Sequence, residues 1–161
     1  LLKTLLAAFA ICLFASSLSA QNYRSAVGAR LGYPLSASFK TFISDENALE
    51  LYVGYRGFSS YNWFSVNGAY QKHSPLDDVV EGLQWYYGFG AGVYFWTYDF
   101  SQDFSSTSLS VQGYIGVDYK FENTPLSITV DWVPTFFIGN IFTSGFGARY
   151  GSLGVRYIFK E

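Results

Sequence analysis

Between Leu109 and Phe121 the chain alternates between two kinds of side chain, and that alternation sharply limits the folds open to it. Leu109, Val111, Ile115, Val117, Tyr119 and Phe121 hold odd positions, while Ser110, Gln112, Asp118 and Lys120 hold even ones. Successive side chains of a strand point to opposite faces, so this segment is a strand with one apolar face and one polar face. The contrast recurs at 83–96, where Leu83, Trp85, Tyr87, Phe89, Ala91, Val93 and Phe95 oppose Gln84, Tyr86, Gly88, Gly90, Gly92 and Tyr94. Large groups facing glycines suit a narrow barrel with its bulk on the outside. A closed barrel is one of two ways a chain can cross a bilayer with every backbone group paired.

Period-two segments separated by turn residues continue along the chain, and no stretch holds a helical period. They predict an all-β fold, an eight-stranded antiparallel up-and-down transmembrane barrel. Its strands are expected at 22–32, 35–44, 48–57, 62–73, 83–96, 109–121 and 126–138, with a last one ending at Phe159. Strands of this length match a tilted bilayer crossing, and an even number places both termini at one end. Ser44-Asp45-Glu46-Asn47 and Glu122-Asn123-Thr124-Pro125 read as tight polar turns at that end. The longer connector from Pro75 to Gly82 falls there too. The opposite end is expected to carry the connectors at 33–34, 58–61, 99–106 and 139–144.

Residues 1–20 form a separate unit. Lys3 supplies a basic start, an apolar stretch follows from Leu5 to Phe14, and small residues lead to Ala20. This pattern predicts a secretory signal peptide cleaved before Gln21, because the apolar stretch is shorter than the roughly 20 residues of a spanning helix. The barrel domain is expected over 21–161. Cys12 is the one cysteine and lies inside the expected signal, which leaves the mature chain without disulfides, thiolate metal sites or a cysteine nucleophile. Charged residues are 14% of the chain against about 25% in a typical soluble domain, and a lipid-facing exterior accounts for the deficit. With a net charge of −2 and no basic run, nucleic acid is not an expected partner.

The inward face is expected to carry Arg30, Lys40, Glu50, Asp118, Lys120, Asp131 and Arg156. The first and last strands must meet at closure, which brings Arg30 and Arg156 onto neighbouring strands, and Asp118 and Asp131 lie on the arms of one tight hairpin. A lumenal ion-pair network that plugs the interior is the expectation, since charges there must be paired to be tolerated. A gate or an ion path is the functional alternative. Trp63, Trp85, Trp96 and Trp132 fall near expected strand ends and read as membrane-interface aromatics. His73 is the lone histidine, next to Ser74. Adjacent strand residues face opposite ways, so the pair does not suit base and nucleophile, and His73 reads as a solvated or interfacial side chain. No metal site, cofactor or catalytic residue is expected.

Several segments in order resemble a known family. They are Arg30-Leu31-Gly32-Tyr33-Pro34-Leu35, Asn47-Ala48-Leu49-Glu50, Gly82-Leu83-Gln84-Trp85-Tyr86-Tyr87-Gly88, Gly116-Val117-Asp118-Tyr119-Lys120-Phe121, Ile128-Thr129-Val130-Asp131-Trp132-Val133-Pro134, and Ser152-Leu153-Gly154-Val155-Arg156-Tyr157-Ile158-Phe159. Together they resemble the small outer-membrane β-barrel proteins of the Bacteroidetes type, eight-stranded barrels like OmpA and OmpX. The resemblance implies a monomeric barrel integral to the cell outer membrane, with outer-membrane lipid around it, and no settled activity. Such barrels commonly end on an aromatic, whereas here Lys160-Glu161 follow Phe159. The expected function is non-enzymatic: a structural or accessory component of the envelope, or a subunit bound to another envelope protein. The alternative is a narrow channel or a carrier for a small apolar molecule, which a wide cavity lined by Tyr86, Tyr94 and Tyr114 would favour. A soluble ligand-binding barrel should instead have a charged outside and an apolar interior.

Overall fold

A computed structural model describes residues 23–57, 61–98, 104–139 and 145–160. The expected signal peptide with Cys12, and most of the connectors at 58–61, 99–106 and 139–144, lie outside the described residues.

The strands are β1 Ser25–Tyr33, β2 Leu35–Phe42, β3 Asn47–Gly57, β4 Tyr61–Pro75, β5 Leu83–Tyr98 and β6 Phe104–Lys120, followed by β7 Leu126–Trp132, β8 Thr135–Ile138, β9 Gly145–Gly147 and β10 Gly151–Lys160. All pair antiparallel in the order β5-β4-β3-β2-β1-β10-β7-β6-β8-β9, and β5 also pairs with β6, which closes the sheet. β7 with β8, and β9 with β10, each form one wall, so the closed barrel has eight strands. Ser25 pairs with Lys160. Both strand termini therefore lie at the end that also carries the connectors Ser44–Asn47, Pro75–Gly82 and Glu122–Pro125, called here the turn end.

The seventh strand, expected to be continuous over 126–138, is broken once, and so is the last wall, between β9 and β10. Pro134 has no N–H to give the ladder, and the neighbouring groups are satisfied across the break: Val133 N donates to Tyr150 O at 2.9 Å and Gly113 N donates to Pro134 O at 2.9 Å. The indole Nε1 of Trp132 donates to Ala148 O at 2.7 Å. The two interruptions face each other and so leave the barrel closed.

Rows of hydrogen-bonded partners are staggered. Starting from Arg156 and passing through Gly28, Ser38, Tyr52, Asn67, Gly92, Ser110 and Phe137, the path returns to its own wall at Gly145. That stagger is the strand tilt a closed barrel requires. Residues distant along their strands thereby come to one height in the lumen.

The barrel is inside out compared with a soluble protein. Leu31, Leu51, Leu109, Val111, Ile115, Val130, Leu153 and Tyr157 stand exposed on the outside, while Ser38, Ser65, Asn67, Gln71, Gln112, Thr129 and Thr135 are buried within. Inward space is short on β5. A Cβ at Gly88 would sit 2.1 Å from the backbone oxygen of Tyr70, and one at Gly90 would sit 2.3 Å from that of Gly68. These glycines let β5 lie close to β4 while Tyr86 and Tyr94 fill the lumen on either side of them.

Candidate functional site

The lumen contains three cationic and three anionic fully buried side chains among the described residues: Arg30, Lys40 and Arg156 against Glu50, Asp118 and Asp131. Arg30, projecting from β1, has a carboxylate on each side. Its Nη1 donates to both Glu50 oxygens at 3.0 and 3.1 Å, and its Nη2 donates to both Asp131 oxygens at 3.0 and 2.9 Å. Arg156 on β10 donates to Glu50 through Nη2, to Thr129 Oγ1 through Nη1 at 2.7 Å, and to Ser38 Oγ through Nε at 3.3 Å. Planar guanidinium forks suit this bidentate recognition. Neutral groups complete the carboxylates: Gln71 Nε2 donates to Glu50 at 2.8 Å, while the Tyr86 hydroxyl at 2.7 Å and the Ser152 hydroxyl at 2.9 Å donate to Asp131.

A second cluster lies toward the turn end. Lys40 Nζ is 3.2 Å from Asp118 Oδ2, and the Tyr23 hydroxyl donates to the same oxygen at 2.6 Å. The Lys40 ammonium also lies 4.5 Å from the centre of the Tyr86 ring, on whose plane His73 stacks at 4.7 Å. His73 is buried, with Nδ1 3.0 Å from Gln84 Oε1. It is therefore a packed lumenal group and not the solvated or interfacial histidine expected from its place near a strand end, because its odd position on β4 shares the inward face of Gln71. Ser74 belongs to the other face.

Toward the opposite end the filling becomes aromatic. Tyr52 and Tyr114 share a hydroxyl hydrogen bond of 2.7 Å, Tyr114 donates to Gln112 Oε1 at 2.6 Å, and Gln112 Nε2 donates to Asn67 Oδ1 at 2.7 Å. Beyond them Trp63, Tyr94, Phe137 and Tyr150 pack together, with Tyr33 and Trp96 against them. Two of the four expected interface tryptophans are thus interior groups. Trp63 is wholly buried, with its ring 5.0 Å from that of Tyr94, and Trp96 is half-buried, donating from Nε1 to Ser108 Oγ at 2.9 Å. The reason is parity: Trp63 falls in step with Ser65 and Asn67, and Trp96 with Tyr94. Trp85 and Trp132 point outward and are exposed.

Arg30, Lys40, Glu50, Asp118, Asp131 and Arg156 all lie inside, but their pairing differs from one four-membered group of Arg30, Arg156, Asp118 and Asp131. Glu50 bridges the two arginines, and Asp118 pairs with Lys40. Lys120, at the end of β6, is half-buried. Tyr86, Tyr94 and Tyr114 are buried in the lumen, packed among its other side chains. Tyr23 and Gln71 also partner these charged groups, and Gln84 partners His73; alternation marks Gln71 and Gln84 as inward, while Tyr23 lies just ahead of β1. Among the described residues, Gln71 Oε1, His73 Nε2 and Asp118 Oδ1 are buried without a hydrogen-bond partner.

Tyr86→Phe removes one donor to Asp131 while keeping the ring beneath Lys40. Hydrogen bonds to charged groups are worth about 1.5–3 kcal/mol, so an unfolding free energy reduced by about that amount is expected in urea titration of the detergent-solubilised barrel. An unchanged midpoint would show that Arg30 and Ser152 alone hold Asp131.

No protein-family model matches the chain, and no curated protein does. Among solved structures the chain is similar to Neisserial surface protein A (NspA), with a TM-score of 0.57 and 16% sequence identity over 84% of this chain and 93% of that one. At that identity the likeness is one of fold: a closed eight-stranded antiparallel barrel.

Proposed function

We propose that the chain is an integral outer-membrane β-barrel of the cell envelope whose lumen is sealed, serving a non-enzymatic structural or accessory role. Membership of the small Bacteroidetes-type barrels belongs to this reading, as does the location implied by an apolar exterior around a polar interior. The observation that carries it is the lumenal network, where three cations face three carboxylates and aromatic rings fill the space toward one end. An eight-stranded barrel has room inside for little more than its own side chains. A channel would need these pairs to part, and a carrier would need the tyrosines to leave.

The test is single-channel recording in planar bilayers alongside thermal unfolding, for the wild type and Asp131→Asn. The expected result is a wild type without conductance steps and a variant that melts at lower temperature while conductance stays at background. Steps in the wild type, or conductance in the variant with unchanged melting, would favour the channel. The accessory role predicts a stoichiometric companion in mild-detergent extracts of isolated membranes. Val79 and Val80, exposed on the Pro75–Gly82 connector at the turn end, are the apolar contacts such a companion would cover.

A further inference from the structure

The outer surface carries a groove of about 630 Å³ that runs across β2 to β6. Its floor is Gly68 and Ala91, and its walls include Phe39, Leu51, Tyr70 and Phe89. Leu51, Gly68 and Ala91 are direct partners along one hydrogen-bonded row, and Tyr70 and Phe89 are partners two rows along, the next that faces outward. Because the strands tilt, the furrow between these rows runs obliquely to the barrel axis.

Gly68 is not explained by the fold. Gly88 and Gly90 on the inward face of β5 are forced by backbone oxygens 2.1 and 2.3 Å from a Cβ position, whereas a Cβ at Gly68 would meet only a Leu51 methyl at 3.5 Å, an ordinary contact. Glycine weakens a strand interior and, besides bulges and bends, is found where a ligand or another backbone approaches closely. The volume falls within the range of about 300–1,000 Å³ typical of ligand sites. Two residues beyond Tyr70, on the same outward face and nearer the turn end, Lys72 lies 3.4 Å from Glu46, with side chains 46% and 56% exposed. One positive and one negative group therefore stand beyond the lining of this apolar furrow, on its turn-end side.

We propose that this groove is a binding site for a single glycerophospholipid with an ethanolamine-type headgroup, taken from the leaflet at the turn end. One acyl chain would lie over Gly68 and Ala91 between the Leu51 and Tyr70 rows. The phosphate would accept from Lys72, and the primary ammonium would donate to Glu46, opening an exposed ion pair that holds little energy of its own. These two charges complement a zwitterion: an anionic glycerol headgroup meets repulsion at Glu46, and a choline headgroup has no N–H to donate.

The inference rests on the barrel being embedded in a bilayer, which flotation with lipid vesicles tests separately: failure to float would overturn that reading. For a barrel that floats, native mass spectrometry of the detergent-extracted protein is run against equal amounts of phosphatidylethanolamine, phosphatidylglycerol and phosphatidylcholine. The wild type is expected to retain one phosphatidylethanolamine with about threefold preference, the scale of exposed ion pairs. Gly68→Leu fills the floor from outside and is expected to lower retention about tenfold, through lost apolar burial, with the melting temperature unchanged. Lys72→Gln with Glu46→Gln is expected to keep a bound lipid and lose the preference. Equal retention by wild type and Gly68→Leu, absence of headgroup preference in the wild type, or a wild-type dimer that Gly68→Leu dissociates would each overturn the proposal.

Discussion

Glu50→Ala is expected to lower the unfolding free energy of the barrel by about 3–5 kcal/mol, the usual result of removing one partner from a buried ion pair. Glu50 accepts from Arg30, Arg156 and Gln71, which come from three different strands. Without it, Arg156 keeps, among the described residues, the hydroxyls of Thr129 and Ser38 as hydrogen-bond partners, and Arg30 keeps the Asp131 side of its fork. Two guanidiniums on adjacent strands would then share a low-dielectric lumen without the carboxylate that bridges them. Urea unfolding in micelles, followed by tryptophan fluorescence and by the gel mobility of the folded form, measures the loss. Glu50→Gln keeps the volume and one acceptor oxygen, so it should fall between alanine and wild type. A loss below about 1 kcal/mol for alanine would mean that the network behaves like a set of surface pairs.

Gly88→Ala is the second large effect, and it acts through sterics alone. The added methyl would lie 2.1 Å from Tyr70 O and 2.9 Å from Gln71 Cα, both backbone atoms that cannot swing aside. Overpacking typically costs about 1–3 kcal/mol, and a backbone collision in the middle of the β4–β5 pairing belongs at or above the top of that range. The expected outcome is a large loss of the folded form in refolding yield and thermal melts. Gly68→Ala, one strand away with its new methyl 3.5 Å from the nearest atom, is the control and should fold like the wild type. Equal behaviour of the two variants would mean that β5 can move away from β4 without penalty.

The contrast between these two glycines also indicates which features were readable from the sequence. Alternation sets which way each side chain points, and that made the all-β barrel legible in the sequence. It gives no information about height. Arg30 and Asp131 are 101 residues apart and meet only because stagger brings them level, so Asp118, equally inward, pairs with Lys40 instead. Nearness to strand ends points Trp63 and Trp96 to the membrane interface, but parity puts them in step with Ser65 and Tyr94, and parity is what the barrel follows. The break at Pro134 was foreshadowed by a proline inside an otherwise continuous pattern. The matching break between β9 and β10 has no local sequence mark beyond the glycines Gly147 and Gly151, and arises from its partner across the sheet.

The distribution of lumenal charge has a consequence for the order in which the cylinder can be made. The three cations come from β10, β1 and β2, which are contiguous across the junction of the chain's two ends, and the carboxylates come from β3, β6 and β7. Zipping β1 to β10 brings Arg30 and Arg156 onto adjacent strands, a like-charge approach that costs energy in a poorly screened interior. It becomes favourable only when Glu50 has arrived from one side and Asp131 from the other. The seam thus works as a checkpoint: a sheet with a missing or misregistered hairpin carries unmatched positive charge at the edge it must join, and only the complete set of walls makes joining downhill.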